Sequence, residues 1–291
     1  MTSKPRRAKT AAKTAVKAGP RPSARQIEKP SARSDAKPAP DVVEDRLLSG
    51  TLTIRQLKRG HKAGTDAVLL ASAVPVLEGL RIVDLGAGVG TVGLIIAARF
   101  PRARVTLVDK NARLVGLAED NIALNGFQRR VATIEADVFT SAARRRARGL
   151  LPGSFDCVVT NPPWLDGRRF RASPDKEKST AHVLEGGTLD DWLKTAADLL
   201  VPRCDLMIIY RADGLPLLLA AMSGRFGGIV LRPVQPREGR LATRIIIHAV
   251  KGSRAPLVIE PPLVLHEADD RFTPEAEAIH RDAGGVYTED E

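Results

Sequence analysis

Short apolar runs alternate with amphipathic segments from about Asp41 onward, and this alternation predicts strands separated by helices. The middle apolar runs are nearly continuous, which is typical of strands that helices cover on both faces of a sheet. The predicted strands are 81–85, 105–109, 131–137, 155–160, 206–210 and 243–250, with one more around Val230. The predicted helices are 91–100, 112–125, 189–200 and 215–222.

This order of strands and helices implies right-handed crossovers and a parallel sheet. The last two apolar runs, around Val230 and Ile245, are separated by Pro236, Gly239 and charged residues, which favours an antiparallel hairpin. The sequence therefore predicts an α/β fold: a doubly wound, seven-stranded, mostly parallel sheet with an antiparallel edge hairpin. Pro274 predicts the start of a helix in a short C-terminal appendage.

Positive charge is concentrated in residues 1–40, which carry 11 Lys and Arg against Glu28 and Asp35. This segment also has six prolines and no aromatic residue, so we expect a disordered basic arm followed by one domain over 41–291. Three interpretations of the arm remain open. It is an electrostatic contact for nucleic acid, a solubilising tail, or an Arg-rich transit peptide.

The cysteines and histidines indicate the cellular compartment and argue against a metal site. Cys157 and Cys204 are the two cysteines, which is consistent with a reducing compartment, and the five histidines show no metal-ligand spacing. The longest uncharged run, 85–98, is too short to span a bilayer. We therefore expect a cytoplasmic protein with no metal site and no membrane contact.

Candidate chemistry begins where the first predicted strand turns into a helix. A G-x-G-x-G spacing starts at Gly86 and includes Gly88, which allows a sharp turn and close approach of a ligand. Asp84 precedes the turn, where a carboxylate repels a pyrophosphate but can help to hold a cation. Asp109 ends the second strand, where it can accept hydrogen bonds from both hydroxyls of a ribose. These features fit S-adenosylmethionine, and the alternative is a tight turn that binds nothing.

Two further strand ends carry polar side chains. Asp137 follows the third strand, where it can accept the amino group of an adenine or serve as a helix N-cap or turn residue. Asn161, Pro162, Pro163 and Trp164 follow the fourth strand. The prolines lack N–H donors, so the segment offers oxygen acceptors that can orient a planar amino group, and Trp164 offers a stacking face for a flipped base. The alternative is that the two prolines only end the strand and begin a loop, and that Trp164 is a core residue.

These residues resemble the class I S-adenosylmethionine-dependent methyltransferases, in the branch with an Asn-Pro-Pro-aromatic motif. Within that branch the chain is most similar to the bacterial valine-tRNA adenine N6-methyltransferases. The resemblance extends over about residues 45–275. It rests on residues 60–67, the turn at 84–90, Asn121, and the motif at 161–164.

The resemblance implies a Rossmann-like fold, S-adenosylmethionine as cofactor and tRNA as partner. It also implies that Thr65 and Asp66 lie beside the methionine end of the cofactor, although Thr65 alone is equally a helix N-cap. The family usually has tyrosine after the two prolines, so Trp164 is a departure that retains the stacking face but loses a hydroxyl.

A basic stretch directly after the motif completes the predicted site. Arg168, Arg169 and Arg171 can bind the phosphates of an RNA backbone. The arginines around Arg144 are interpreted by default as solvated loop charge. The sequence therefore predicts an N-methyltransferase that forms N6-methyladenine in tRNA. The alternatives are a protein-glutamine N5-methyltransferase, an rRNA guanine N2-methyltransferase and, in another class, a non-catalytic RNA-binding protein.

Overall fold

A nine-stranded sheet runs through the protein and carries the candidate site on one edge. The computed structural model describes residues 39, 41–59, 64–75, 79–163, 183–184 and 187–281. The strands are β1 Val42–Leu47, β2 Leu52–Leu57, β3 Arg81–Leu85, β4 Arg104–Asp109, β5 Val131–Glu135, β6 Phe155–Thr160, β7 Val183–Leu184, β8 Gly187–Thr188, β9 Leu200–Arg211, β10 Phe226–Arg237, β11 Arg244–Lys251, β12 Val258–Ile259 and β13 Leu263–His266. The α-helices are α1 Thr65–Ser72, α2 Thr91–Arg99, α3 Ala112–Leu124, α4 Ala142–Ala147, α5 Leu189–Leu199, α6 Leu215–Met222 and α7 Pro274–Arg281.

The strand order confirms the predicted α/β fold class. The order is β12-β10-β11-β9-β6-β3-β4-β5, with β13 also paired to β10. Strands β5, β4, β3, β6 and β9 are parallel to one another, whereas β11 is antiparallel to both β9 and β10. The seven predicted strands are therefore present, with β10 and β11 as the edge hairpin. Two short strands, β12 and β13, extend the sheet beyond them by pairing in parallel with β10.

Helices cover both faces of this sheet, as the continuous apolar runs predicted. Ile82 belongs to the hydrophobic cluster on one face, together with residues of α1, α2, α3 and α7. Its neighbour Val83 belongs to the cluster on the other face, together with residues of α5 and α6. Successive side chains of a strand point to opposite faces, so β3 contributes to both halves of the core.

The described chain also contains elements that the pattern did not predict. Strands β1 and β2 form a separate antiparallel hairpin, and α1 and α4 lie in segments where no helix was predicted. The C-terminal helix begins at Pro274, as predicted. No helix in the described ranges is both long and apolar enough to cross a membrane. The cytoplasmic location stays a prediction.

The parallel strands end together at one edge, called here the carboxyl edge. Leu85 at the end of β3 is in register with Val108 of β4 and with Thr160 of β6. Asp109 is in register with Glu135 of β5. The residues that follow β3, β4, β5 and β6 therefore meet at this edge, where ligands bind in open α/β sheets.

The two cysteines lie away from this edge. Cys157 is buried in β6, and its register partner in β9 is Asp205, the residue after Cys204. Cys204 is half-buried, and both thiols are free. Burial raises the pKa of each thiol, and it raises that of Cys157 well above the ordinary value.

Candidate active site

The glycine turn after β3 has the backbone geometry that its sequence predicted. Gly86 has φ of +75° and Gly88 has φ of +58°, conformations that residues with a Cβ rarely adopt. The backbone N–H groups of Gly86 and Ala87 both donate to the carbonyl of Val108 at 2.9 Å, which fixes the turn to the end of β4. A Cβ built on Gly88 meets no atom within 4 Å, so this part of the turn is open to close approach by a ligand.

Asp109 is held beside this turn by the main chain. Its Oδ2 accepts a hydrogen bond from the backbone N–H of Gly88 at 2.8 Å, and its Oδ1 accepts one from Asn111 at 2.9 Å. The side chain is half-buried. A carboxylate has about four acceptor sites, so two of them remain for hydroxyl donors of a ligand. The predicted proximity of Asp109 to the glycine turn is therefore present.

Asp84 lies beneath the turn rather than at its surface. It is 1% exposed, and its Oδ2 accepts a hydrogen bond from the backbone N–H of Gly93 at 3.0 Å, which joins β3 to the first turns of α2. Burial raises the pKa of Asp84 to about 7; the bond from Gly93 opposes this rise, and the charge of Asp109 adds to it. Asp84 therefore links β3 to α2 inside the fold. Its contact with a cofactor stays a prediction.

Asp137 follows β5 at the same edge and organises a turn. The backbone N–H of Phe139 donates to Asp137 Oδ1 at 2.9 Å, and Thr140 donates twice to the Asp137 carbonyl. Helix α4 has Ser141 as its N-cap, so the N-cap interpretation of Asp137 was wrong and the turn interpretation was right. The backbone N–H of Ala136 donates to the carbonyl of Asp109 at 3.0 Å, so Asp137 lies near the end of β4.

Asn161 carries a buried acceptor directly after the end of β6. Its Oδ1 is buried and accepts no hydrogen bond from any residue that the structure describes. A buried acceptor without a donor costs about 1 to 3 kcal/mol, so such an atom in a native fold needs an explanation. Pro162 is buried and Pro163 is exposed. The segment therefore presents acceptors without main-chain N–H donors from either proline.

Two residues, Thr160 at the end of β6 and its partner Trp192, were not predicted as part of the site. Thr160, the last residue of β6, is fully buried, and its hydroxyl donates to the carbonyl of Leu85 at 2.8 Å. The indole N–H of Trp192 on α5 donates to the same hydroxyl oxygen at 3.0 Å. The sequence placed Trp192 in a predicted helix, and only the apolar face of that helix indicated its burial.

The start of α1 also lies at the carboxyl edge. Asp66 Oδ2 forms an ion pair with Arg244 Nε at 3.1 Å, and Arg244 is in register with Arg211 at the carboxyl end of β9. Thr65 is the first residue of the helix, and Gly64 occupies the cap position, so the N-cap interpretation of Thr65 was wrong. The predicted contact of Thr65 and Asp66 with a cofactor stays a prediction.

Asn121 lies behind the glycine turn. It is fully buried in α3, and its side-chain Nδ2 donates to the carbonyl of Val89 at 3.0 Å. Asn121 is one of the residues that carry the family resemblance, and its sequence position alone predicted no role for it. Its hydrogen bond to Val89 ties α3 to the glycine turn.

The predicted substrate contacts are described only in part. Trp164, Arg168, Arg169 and Arg171 lie outside the described residues, so their roles stay predictions. The arginines of α4 do not all fit the solvated interpretation. Arg145 is buried, and its Nη2 pairs with Asp198 at 3.1 Å, whereas its neighbours in the run are exposed.

Comparison with protein families gives one match that covers just over half of the chain. The model of the family described as methyltransferase small domain matches residues 61–212. This interval includes the glycine turn, Asp109 and Asn161.

Curated proteins similar to this chain include two tRNA1(Val) (adenine(37)-N6)-methyltransferases. The protein of Aeromonas hydrophila is 26% identical over 215 residues, which cover 73% of this chain and 85% of the relative. The protein of Yersinia pseudotuberculosis is 26% identical over 237 residues, which cover 79% of this chain and 90% of the relative.

Solved structures resemble the fold. A protein of Agrobacterium tumefaciens described as a predicted O-methyltransferase has a TM-score of 0.65 and 32% identity, over 76% of this chain and 97% of its own. The 16S rRNA N2 G1207 methyltransferase of T. thermophilus, in complex with AdoMet and guanosine, has a TM-score of 0.51 and 21% identity. That match covers 72% of this chain and 50% of the other.

Proposed function

The chain belongs to the methyltransferase small domain family, and we propose that it transfers a methyl group from S-adenosylmethionine to the N6 amino nitrogen of an adenine in tRNA. The observation that carries this proposal is the buried Oδ1 of Asn161 at the carboxyl edge, which has no hydrogen-bond donor within the part of the chain that the structure describes. An exocyclic amino group is the kind of donor that such an atom lacks. The names of the relatives from Aeromonas hydrophila and Yersinia pseudotuberculosis support adenine and tRNA as the substrate.

The residues of the carboxyl edge fit the proposed cofactor. Asp109 would accept hydrogen bonds from the ribose hydroxyls, since each of its oxygens is already oriented by a backbone N–H. The open space at Gly88 would admit the nucleoside beside the turn. Asp137 would accept the adenine amino group of the cofactor, and Thr65 and Asp66 would lie at its methionine end. When bound, S-adenosylmethionine supplies an electrophilic methyl group on a sulfonium.

Asn161 would orient the amino nitrogen that receives the methyl group. The lone pair of this nitrogen is delocalised into the base, so the nitrogen is a poor nucleophile. Asn161 Oδ1 and the carbonyl of Pro162 would accept its two hydrogens, hold the nitrogen in line and shift electron density onto it. Methyl transfer from a sulfonium requires alignment more than proton removal, so the proton can leave afterwards to water.

Residues that follow Asn161 would bind the rest of the nucleotide. We propose that Trp164 stacks on the flipped base and that Arg168, Arg169 and Arg171 bind neighbouring phosphates. A glutamine side chain needs the acceptors of the motif but gains little from a stacking face and a basic loop. This difference favours a nucleic acid over a protein substrate. The basic segment 1–40 would add contacts with phosphate that do not depend on sequence.

The experiment that tests this function follows the methyl group. The full chain is incubated with unmodified tRNA and S-adenosylmethionine labelled in the methyl group, and the RNA and protein fractions are then separated. The tRNA is digested and its nucleosides are weighed. We expect N6-methyladenosine in the RNA, and much less of it with Asn161→Ala. Any of three results contradicts the proposal: methylguanosine in the RNA, a nucleoside methylated on its ribose, or label found only on protein glutamine.

A further inference from the structure

Trp192 joins the two turns on which the proposed reaction depends. Its indole N–H donates to Thr160 Oγ1 at 3.0 Å, and the Thr160 hydroxyl donates to the carbonyl of Leu85 at 2.8 Å. Thr160 immediately precedes Asn161, and Leu85 immediately precedes Gly86. A chain of two hydrogen bonds therefore runs from α5 through the end of β6 to the end of β3.

The ring of Trp192 also packs directly against the glycine turn. A Cβ built on Gly86 would lie 2.9 Å from Trp192 Cη2 and 3.0 Å from Cζ2, so the turn and the ring leave no room for a methyl group. Phe139, two residues after Asp137, contacts the same indole edge to face, with ring centroids 5.6 Å apart and an interplanar angle of 67°. One buried side chain thus touches residues that follow β3 and β5 and the last residue of β6.

The hydrogen-bond chain leaves the Thr160 hydroxyl a single orientation. A hydroxyl has one hydrogen, which is directed to the Leu85 carbonyl, so its oxygen is the acceptor of the indole N–H. Thr160 and Trp192 are 0% and 4% exposed, so water does not compete for these bonds. The peptide between Thr160 and Asn161 is therefore fixed relative to the turn at Gly86.

We infer that Trp192 is a positioning residue for methyl transfer, which sets the Asn161 amide against the glycine turn through the Thr160 hydroxyl. This inference rests on the proposed function, in which Asn161 holds the acceptor nitrogen and the turn holds the cofactor. A displacement of about 1 Å between reacting groups is enough to cost about a hundredfold in rate. Trp192 contacts neither ligand in this scheme and acts through Thr160.

Three substitutions separate this role from simple packing. Thr160→Val removes the hydroxyl at nearly constant volume, and Trp192→Phe removes the N–H while keeping a smaller aromatic ring at the same position. Thr160→Ser keeps the hydroxyl and serves as the matched control. We expect kcat to fall about tenfold or more in the first two variants, with KM for tRNA and Kd for S-adenosylmethionine within about twofold of the original chain. The double variant should be no slower than the slower single variant, because both break one chain of bonds.

A second readout needs no methyl acceptor. The exchange rate of the Asn161 backbone amide, measured by NMR on the full chain, should rise in Thr160→Val and Trp192→Phe and return toward the original value in Thr160→Ser. Unchanged exchange in the first two variants overturns the inference, whether or not the RNA substrate is confirmed. A lower Tm with unchanged kcat also overturns it, since that is the result of packing alone. If the unsubstituted protein transfers no methyl group, the proposed function is contradicted instead. The exchange rates of the Asn161 amide then still test whether Trp192 fixes the position of Asn161.

Discussion

Asn121 pairs with Arg55 as one peptide group pairs with another in a sheet. The backbone N–H of Arg55 donates to Asn121 Oδ1 at 2.7 Å, and Asn121 Nδ2 donates to the carbonyl of Arg55 at 2.9 Å. One helical turn later, Asn125 repeats the arrangement with Thr53, at 3.0 and 2.7 Å. The amide side chains of Asn121 in α3 and of Asn125, the residue that caps this helix, thus take the place of a neighbouring strand for β2 and hold the hairpin behind the glycine turn.

Asn121→Asp should destabilise the fold because a buried donor to two carbonyls becomes a carboxylate. We expect the free energy of unfolding to fall by about 2 to 4 kcal/mol, because a buried polar group that loses its partners costs about 1 to 3 kcal/mol and a charged group costs more. Asn125→Asp is the matched control at a half-buried position and should cost less. Urea unfolding of both variants measures the difference. Equal losses would show that the burial of Asn121 does not matter.

The β1–β2 hairpin shows what the sequence could not predict. Asp45 and Arg46 are exposed on β1, so the apolar alternation is weak over this segment. The groups that satisfy the free edge of β2 belong to Asn121 and Asn125, which lie about seventy residues further along the chain. By contrast, β3, β6 and α6 were predicted at their observed bounds because local apolar runs and breaker residues define them.

Gly86 and Gly88 should respond differently to alanine. Gly86→Ala combines a positive φ with a clash against the Trp192 ring, so we expect about 2 to 4 kcal/mol of destabilisation. Gly88→Ala has space for the methyl group and should cost only about 1 to 2 kcal/mol for its φ. The added methyl would, however, face the proposed cofactor and weaken its binding. Urea unfolding and calorimetric titration with S-adenosylmethionine test the two halves of this prediction.

Asp109→Ala should lower the affinity for S-adenosylmethionine by about tenfold or more, since hydrogen bonds to a charged acceptor contribute about 1.5 to 3 kcal/mol. Glu135→Ala is the control, because Glu135 is the register partner of Asp109 on β5 and is exposed. It removes a carboxylate from the same edge without touching the glycine turn. A titration curve for Asp109→Ala that matches the control would remove Asp109 from the cofactor site.

Asn161→Ala should separate binding from chemistry. The variant removes the buried acceptor but leaves the glycine turn and Asp109 in place, so S-adenosylmethionine should still bind while turnover falls by about a hundredfold or more. Asn161→Asp retains an acceptor oxygen and should keep more activity than the alanine variant. Near-normal turnover with alanine refutes the proposed role. Loss of cofactor affinity in a folded variant reassigns Asn161 to the cofactor site.

Asp84 should make stability fall as the pH rises. Its pKa is about 7 in the folded chain against an ordinary value of 3.8, so the folded state holds a proton that the unfolded state has released between these values. The Asp84 contribution should therefore decline from about pH 4 to pH 7, at up to about 1.4 kcal/mol per pH unit, and then stay constant. Asp84→Asn removes this dependence. Urea unfolding at pH 5, 6, 7 and 8 gives the free energy of unfolding of both proteins. Plotted against pH, the two sets of values should converge or cross, and parallel plots contradict the prediction.

The carboxyl edge could be predicted from the sequence, but the depth at which each side chain is buried there could not. Asp84 and Asp109 both stand at strand ends, yet one lies beneath α2 and the other beside an open turn. That difference depends on how closely α2 packs on β3 at Gly93, which no local pattern encodes. Trp192 was missed for a related reason, since its partner Thr160 is 32 residues away in the chain.

The position of Cys204 offers a route to attach this protein to a surface or a fluorophore. The chain has two cysteines, and Cys157 is buried, so a thiol reagent applied to the folded protein meets a single half-buried sulfur. The raised pKa of Cys204 slows this reaction at neutral pH, and a mildly alkaline buffer accelerates it. A chain immobilised there presents its carboxyl edge to the solution, so ligand titrations on a sensor chip require no engineered tag.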